Sequence, residues 1–109
     1  MKFAIILKYS FTNKWFNLTR PERQDFELTH IFPLIQKYAE ELTVRTFDSE
    51  AFESKFSDFA IVETQNLKAH THFMDDLRDS PLIAHGYATF NDIFMGIEDG
   101  YKEYNQETK

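Results

Sequence analysis

Residues 58–64, with the sequence Asp-Phe-Ala-Ile-Val-Glu-Thr, are the stretch that decides which fold this chain can adopt. One phase of the alternation carries the bulky Phe59 and Ile61, and the other carries the smaller Ala60 and Val62. A strand with apolar side chains in both phases is typical of a strand buried on both faces of its sheet. The stretch therefore predicts a strand that lies between two packed layers.

Three further segments carry strand signals, and their predicted ranges are 2–10, 42–48 and 87–97. The first of them repeats the two-phase pattern of residues 58–64. Its bulkier phase consists of Phe3, Ile5, Leu7 and Tyr9. Its smaller phase contains Ala4 and Ile6, so this strand is also predicted to be buried on both faces.

Two helical segments separate the strands. Residues 19–22, Thr-Arg-Pro-Glu, form a capping-box pattern with proline in the first turn, which is a strong signal for a helix start. Pro33 lies inside this helix and is expected to kink or divide it, because proline has no N–H to donate. Asn66 is predicted to cap the second helix. Ser80-Pro81 starts a further helical turn, which Gly86 is placed to end.

The resulting order is β-α-β-β-α-β, which is the ferredoxin-like arrangement of the α+β class. It predicts a four-stranded antiparallel sheet with two helices on one face, formed by a single domain over residues 1–97. Residues 98–109 are polar and are expected to be a loosely held C-terminal tail.

The second face of this sheet has no helix to cover it. Because small residues suit close helix packing, we assign the bulky phases to this helix-free face. The assigned residues are Phe3, Ile5, Leu7, Tyr9, Arg45, Phe47, Phe59, Ile61 and Glu63. Burial of its large apolar side chains is worth roughly 10–18 kcal/mol, as much as the net stability of a whole domain. We therefore expect a homodimer in which a second copy covers this face; coverage by the tail or a loop is the alternative.

Composition excludes several classes of protein. Twelve basic and eighteen acidic residues give a net charge of −6 and a pI near 5.1, so we expect neither nucleic-acid nor membrane binding. The chain has no cysteine, which excludes disulfides and thiolate sites. The N-terminal apolar run is too short for a signal peptide, and no run approaches the roughly 20 apolar residues of a membrane span. A cytoplasmic location is expected.

Few residues carry a chemical signal. Arg45, Glu63 and Tyr9 are weak catalytic candidates, in which a glutamate of raised pKa would act as a base; a plain cross-strand ion pair is the alternative. Trp15 lies in the loop after the first strand, where it could roof a cavity, although packing is the simpler role. The four histidines lack metal-ligand spacing, so we expect no metal and no cofactor.

Several segments together resemble the darcynin family of small bacterial proteins, which has no established function. They are Trp15-x-x-Leu18-Thr19-x-Pro21-Glu22-Arg23, Arg45-x-Phe47-Asp48-x-Glu50-Ala51-Phe52, Asp58–Thr64 and Asp76-Leu77-Arg78-Asp79-Ser80-Pro81. The resemblance spans about residues 3–97 and supplies no catalytic residue. The pattern also resembles dimeric α+β barrel proteins, which include cofactor-independent monooxygenases, muconolactone isomerases and haem-binding relatives.

Three functions are compatible with this pattern. The first is a homodimeric barrel that binds a small apolar or aromatic molecule. Its ligand-binding residues would be Trp15 together with the nine residues assigned to the helix-free face. The second is a monooxygenase- or isomerase-like enzyme that needs no cofactor. The third is a non-catalytic dimer that serves a protein partner.

Overall fold

A computed structural model describes residues 1–107, and their side chains except those of residues 103, 106 and 107. The strands are β1 (Phe3–Phe11), β2 (Leu42–Asp48), β3 (Asp58–Thr64) and β4 (Ala88–Ile97). The helices are α1 (Asn13–Phe16), α2 (Arg20–Phe26), α3 (Phe32–Lys37), α4 (Leu67–Asp79), α5 (Pro81–Ala84) and α6 (Gly100–Glu107). The strands form one antiparallel sheet in the order β2-β3-β1-β4, which confirms the ferredoxin-like arrangement.

The start of α2 has the predicted capping geometry. The Thr19 hydroxyl accepts a hydrogen bond from the Glu22 amide at 3.3 Å, and the Glu22 carboxylate accepts one from the Thr19 amide at 2.8 Å. Both donors belong to the first turn, where the backbone has no helical partner for them. This reciprocal pair fixes the point at which the chain turns back over the sheet.

Pro33 divides the first helical segment, as predicted. Residues Glu27–Ile31 form a π-helical turn between α2 and α3, immediately before the proline. Because Pro33 cannot donate to the carbonyl one turn earlier, the regular ladder is interrupted there. The π-helical turn widens the helix over the sheet and, as described below, forms part of a cavity wall.

The core lies between the sheet and the helices. In the register of β1 and β3, Ile5 lies opposite Val62 and Leu7 lies opposite Ala60. All four are buried and contact Phe73 and its neighbours in one cluster. The bulky phase of β1 therefore packs beneath the helices beside the small phase of β3.

The assignment of Phe3, Ile5, Leu7 and Tyr9 to the helix-free face was therefore wrong, since these residues face the helices. The physical reason is complementarity across the register: a large residue on one strand fits beside a small one on the next. Arg45, Phe47, Phe59, Ile61 and Glu63 do share the helix-free face, because the β2–β3 register keeps them in one phase. Ile6, Lys8 and Phe94 are their neighbours on β1 and β4.

Residues Gly100–Glu107 of the expected C-terminal tail form helix α6, and residues 108 and 109 lie outside the described residues. Helix α6 follows β4 through Asp99, which has a φ of +48°. The radius of gyration of 15.9 Å exceeds the roughly 13 Å of a compact chain of this size, because the molecule extends to 58 Å along its longest axis. None of the described helices is long and apolar enough to cross a membrane.

Candidate functional site

A cavity of about 730 Å³ lies between the sheet and the helix layer. Its floor consists of helix-facing residues of the sheet, among them Leu7, Tyr9, Val44, Ala60 and Phe90. Its opposite wall is formed by residues of the π-helical turn and α3, among them Leu28, Ile31, Phe32, Leu34 and Ile35. Most of the lining is aliphatic or aromatic, which is the usual composition of a small-molecule site.

The cavity exists because the helix layer does not cover the whole of β2. Leu42 is buried, Val44 is half-buried and Thr46 is exposed, although all three have side chains in the helix-facing phase. Leu28 on the π-helical turn is 67% exposed and Phe32 is 56% exposed at the same side of the fold. The uncovered end of β2 and these two side chains form the mouth of the cavity.

One end of the cavity is aromatic. The rings of Phe11 and Trp15 stack with centroids 4.6 Å apart, and the edge of Phe26 lies 5.4 Å from Trp15. Helix α1 holds Trp15 in place, because the Thr12 amide that precedes it donates to the carbonyl of Tyr87 at 3.0 Å. Trp15 is 5% exposed and lines the cavity, so it is both a packing residue and part of the wall.

The other notable part of the lining is acidic. Asp58 lies opposite Tyr9 on β1 and opposite Asp48 on β2, so the three residues form a row across neighbouring strands. One oxygen of Asp58, Oδ1, is buried without a hydrogen-bond partner among the described residues. Burial raises the pKa of Asp58, and the carboxylates of Asp48 and Glu50 add to that increase.

Tyr9 lies in the same buried, negatively charged environment as Asp58. Burial is the main cause that raises the pKa of its phenol, and the charges of Asp58, Glu27 and Asp48 raise it further. These three carboxylates also line the cavity. We call Glu27, Asp48 and Asp58, which surround Tyr9, the acidic end of the cavity.

The acidic end continues into a carboxylate cluster at the surface. Asp48, Glu50 and Asp58 place ligand oxygens within 4.8 Å of one another, a spacing that could hold a metal ion. No metal ligand was predicted from the sequence. Asp48 ends β2 and Asp58 begins β3, and the β2–β3 register places them directly opposite each other.

The predicted catalytic residues are not brought together. Arg45 and Glu63 form an ion pair of 2.6 Å on the helix-free face, whereas Tyr9 lies on the opposite face of the sheet. Lys2 contacts the second Glu63 oxygen at 3.0 Å. Hydrogen bonds from Lys2 and Arg45 lower the pKa of Glu63, so it is not the base of raised pKa that the sequence suggested.

The predicted ligand-binding residues divide into three groups. Leu7, Tyr9 and Trp15 line the cavity, and Phe3 and Ile5 belong to the core region. Arg45, Phe47, Phe59, Ile61 and Glu63 lie on the helix-free face, where Phe47 on the edge strand also borders the cavity. Sequence reasoning missed Val44, Thr46 and Asp58 as cavity residues. Pro33 was the one sequence signal for the cavity wall. It predicts an interrupted helix, and the π-helical turn that forms part of the wall lies at that interruption.

The helix-free face has an aromatic centre. The rings of Phe47 and Phe59 stack with centroids 4.7 Å apart, and Phe94 is 50% exposed on β4. The Lys8 ammonium lies 5.4 Å from the Phe94 ring. This face therefore combines exposed apolar area with charges that already have partners.

The family model described as "Darcynin, domain of unknown function" matches residues 2–109. The chain belongs to the darcynin family. This member is 40% identical to Darcynin of Chromobacterium violaceum over 75 residues, which cover 69% of this chain and 94% of that one. It is 39% identical to Darcynin 1 of Acinetobacter baumannii over 87 residues, which cover 80% of this chain and 96% of that one.

Solved structures share the fold of this darcynin. A chlorite dismutase from Candidatus Nitrospira defluvii in complex with imidazole aligns with a TM-score of 0.76 and 11% identity, over 96% of this chain. A protein from Thermus thermophilus described as a novel heme-binding protein aligns with a TM-score of 0.80 and 13% identity, also over 96% of this chain. The darcynin chain spans 47% and 44% of their lengths, so it corresponds to about half of each.

Proposed function

We propose that this chain binds a small apolar or aromatic molecule in the cavity between its sheet and its helix layer. The observation that carries the proposal is the cavity itself, with a volume of about 730 Å³ and a largely apolar lining. Cavities that hold small ligands commonly measure about 300–1,000 Å³ and have few polar groups. The bound molecule would lie on the helix side of the sheet, and not in the interior of a barrel between two sheets.

Haem is the ligand that the description of the Thermus thermophilus protein suggests, and the residues of this cavity do not fit it. The described lining contains no histidine or cysteine that could hold the iron. Tyr9 is the remaining ligand candidate, but its raised pKa disfavours the phenolate that would bind iron. The propionates of a haem would also meet Glu27, Asp48 and Asp58, with no lysine or arginine in the described lining to receive them.

No observation favours the monooxygenase- or isomerase-like alternative. Arg45 and Glu63 lie across the sheet from the cavity, so they cannot contact a molecule bound there. The proposal is therefore binding, without an assigned reaction.

A neutral fluorescent probe tests the proposal. N-Phenyl-1-naphthylamine gains fluorescence in apolar sites, and we expect the wild-type protein to bind it. Thr46→Phe narrows the mouth of the cavity and should weaken binding at least about tenfold, since probe and ring compete for the same space. Thr43→Phe is the matched control, because Thr43 lies on the same strand with its side chain on the opposite face. Absence of binding, or equal loss in both variants, would contradict the proposal.

We also propose that a second copy of this chain covers the helix-free face. Phe47 is 37% exposed and Phe94 is 50% exposed there, beside the half-buried Phe59 and Ile61. Lys8 pairs with Asp92 at 3.9 Å and Glu63 pairs with Lys2 and Arg45, so a two-fold related copy can cover the face without burying an unpaired charge. The cytoplasmic location expected from the sequence stays a prediction.

Sedimentation velocity tests the dimer. Ile61→Lys places an unpaired charge in the centre of the face and should weaken dimerisation by about 100-fold or more. Phe52→Lys is the control, because Phe52 is 90% exposed in the β2–β3 connection. A wild-type protein that sediments as a monomer at micromolar concentration would overturn the dimer. A dimer that binds no small molecule would instead favour the non-catalytic interaction protein.

A further inference from the structure

The charges that line the cavity have one sign. Glu27, Asp48 and Asp58 are in the lining, and the described lining contains no lysine, arginine or histidine. In the part of the chain that the structure describes, none of the three carboxylates has an ion-pair partner. An anionic molecule in this cavity would therefore meet uncompensated negative charge in a partly buried site.

Some carboxylates outside the cavity lining do have cations beside them. Glu63 pairs with Lys2 and Arg45, and Asp76 pairs with Lys37 at 2.8 Å. Glu27, Asp48 and Asp58 instead line the cavity without an ion-pair partner among the described residues.

One buried oxygen of the acidic end has no hydrogen-bond partner among the described residues, whereas Asp48 Oδ1 accepts a hydrogen bond from the Glu50 amide at 3.0 Å. Asp58 Oδ1 is buried and accepts no hydrogen bond from the described residues, which is a costly state for a carboxylate oxygen. Asp48 lies directly opposite on β2, close enough for the same donor to reach both residues. An ammonium group has three donors and no acceptor, so it matches this pair in charge and in hydrogen bonding.

We propose that the ligand of this cavity is an organic amine that binds as its ammonium cation, with the charged end against Asp48 and Asp58. Its apolar or aromatic body lies along Leu7, Val44 and Ile35 toward the Phe11–Trp15 stack. This inference rests on the proposed function, because it names the class of molecule that the same cavity takes. It excludes carboxylic acids of the same shape as preferred ligands.

Three probes that share one aromatic body separate charge from shape. 1-Naphthylmethylamine is a cation, 1-naphthalenemethanol is neutral and 1-naphthoic acid is an anion at neutral pH. Calorimetric titration of the wild-type protein, with EDTA present to remove divalent metals, should show the amine binding at least about tenfold more tightly than the alcohol. The acid should bind more weakly than the alcohol.

The Asp58→Asn variant tests whether the preference for the amine over the alcohol comes from Asp58. It keeps the shape of the side chain and should bring the amine to within about twofold of the alcohol, while binding of the alcohol stays unchanged. Asp75→Asn is the matched control, because it removes the same charge from an exposed position on α4 outside the cavity lining. Asp48→Asn provides a second variant at the acidic end, with the same expected direction, in case Asp58→Asn folds poorly.

The outcomes distinguish the two proposals. If the three probes bind the wild-type protein equally, or the acid binds best, the amine inference is overturned and the cavity still binds small molecules. If Asp75→Asn loses the amine preference as fully as Asp58→Asn, the preference comes from the net charge of −6 and the inference is also overturned. If no probe binds and N-phenyl-1-naphthylamine does not bind either, both proposals fail.

Discussion

Strand β3 carries a carboxylate on each face of the sheet, and the two have opposite pKa shifts. Asp58 faces the helix side, where burial raises its pKa, while Glu63 faces the helix-free side, where Lys2 and Arg45 lower its pKa. Both belong to one strand of seven residues, and their environments differ because their side chains lie on opposite faces of the sheet. The comparison shows that the helix side leaves charge unpaired and the helix-free side pairs it.

The apolar residues show the same contrast between the faces. On the helix side, Phe73 is 3% exposed and closes the core over β1 and β3. On the helix-free side, Phe47 and Phe59 stack on each other without a covering layer in the described chain. The closely packed core therefore lies on one face of the sheet, and the other face keeps exposed aromatic side chains.

The largest expected effect comes from the core on the helix side of the sheet. Phe73→Ala should lower the free energy of unfolding by about 3–5 kcal/mol, because it leaves a cavity in a core that cannot fully collapse. Phe52→Ala, at a position 90% exposed, should change it by less than about 0.5 kcal/mol. Urea unfolding followed by circular dichroism measures both. Similar losses in the two variants would show that the core is not where the structure places it.

A smaller effect of opposite sign comes from Asp58. The pKa of Asp58 is higher in the folded state than its ordinary value of 3.8, so the charged carboxylate destabilises the fold at neutral pH. This destabilisation disappears as the pH falls through the folded-state pKa toward 3.8. Asp58→Asn should therefore stabilise the ligand-free protein at neutral pH. Since the side chain is only half-buried and partly screened by solvent, the gain should be below about 1 kcal/mol.

Thermal unfolding of the wild-type and Asp58→Asn proteins over a pH series checks this prediction. The difference in Tm should shrink as the buffer is acidified. A Tm that falls on substitution at neutral pH would mean that Asp58 has a structural partner, and the acidic end would lose its main support.

The smallest effect comes from Glu63. Its lowered pKa means that the charged form stabilises the fold above its unfolded-state pKa near 4.5, and this contribution is lost as the pH falls through the lower folded-state pKa. Glu63→Gln should destabilise the protein at neutral pH by less than Asp58→Asn stabilises it, because the ion pairs are open to solvent. Added salt should reduce the difference, since exposed pairs are screened. Thermal unfolding that is insensitive to both pH and salt at this position would contradict the pairing.

Local features of the sequence predicted the secondary structure well. The ranges 42–48 and 58–64 coincide with β2 and β3, and the Thr19–Glu22 capping box starts α2. Alternation, capping and proline act within a few residues, so a single segment contains the information that they need. The darcynin family was recognised from the same local segments, and the family model confirms it.

The sites could be predicted only in part, because they depend on register. The Arg45–Glu63 pair follows from two strands in a common phase, and the structure confirms it. Which phase of β1 faces the helices does not follow from β1 alone, since it depends on the small residues that β3 places beside it. This is why Tyr9 was expected beside Glu63 and lies instead beside Asp58.

The sequence by itself determined the order of elements, the caps and the interrupted helix. The tertiary structure alone decided which rings face the helices, where the helix layer leaves β2 uncovered, and that Asp48, Asp58 and Tyr9 form one row. The physical reason is that periodicity assigns side chains to two opposite faces, whereas strand pairing and packing volume decide what each face meets.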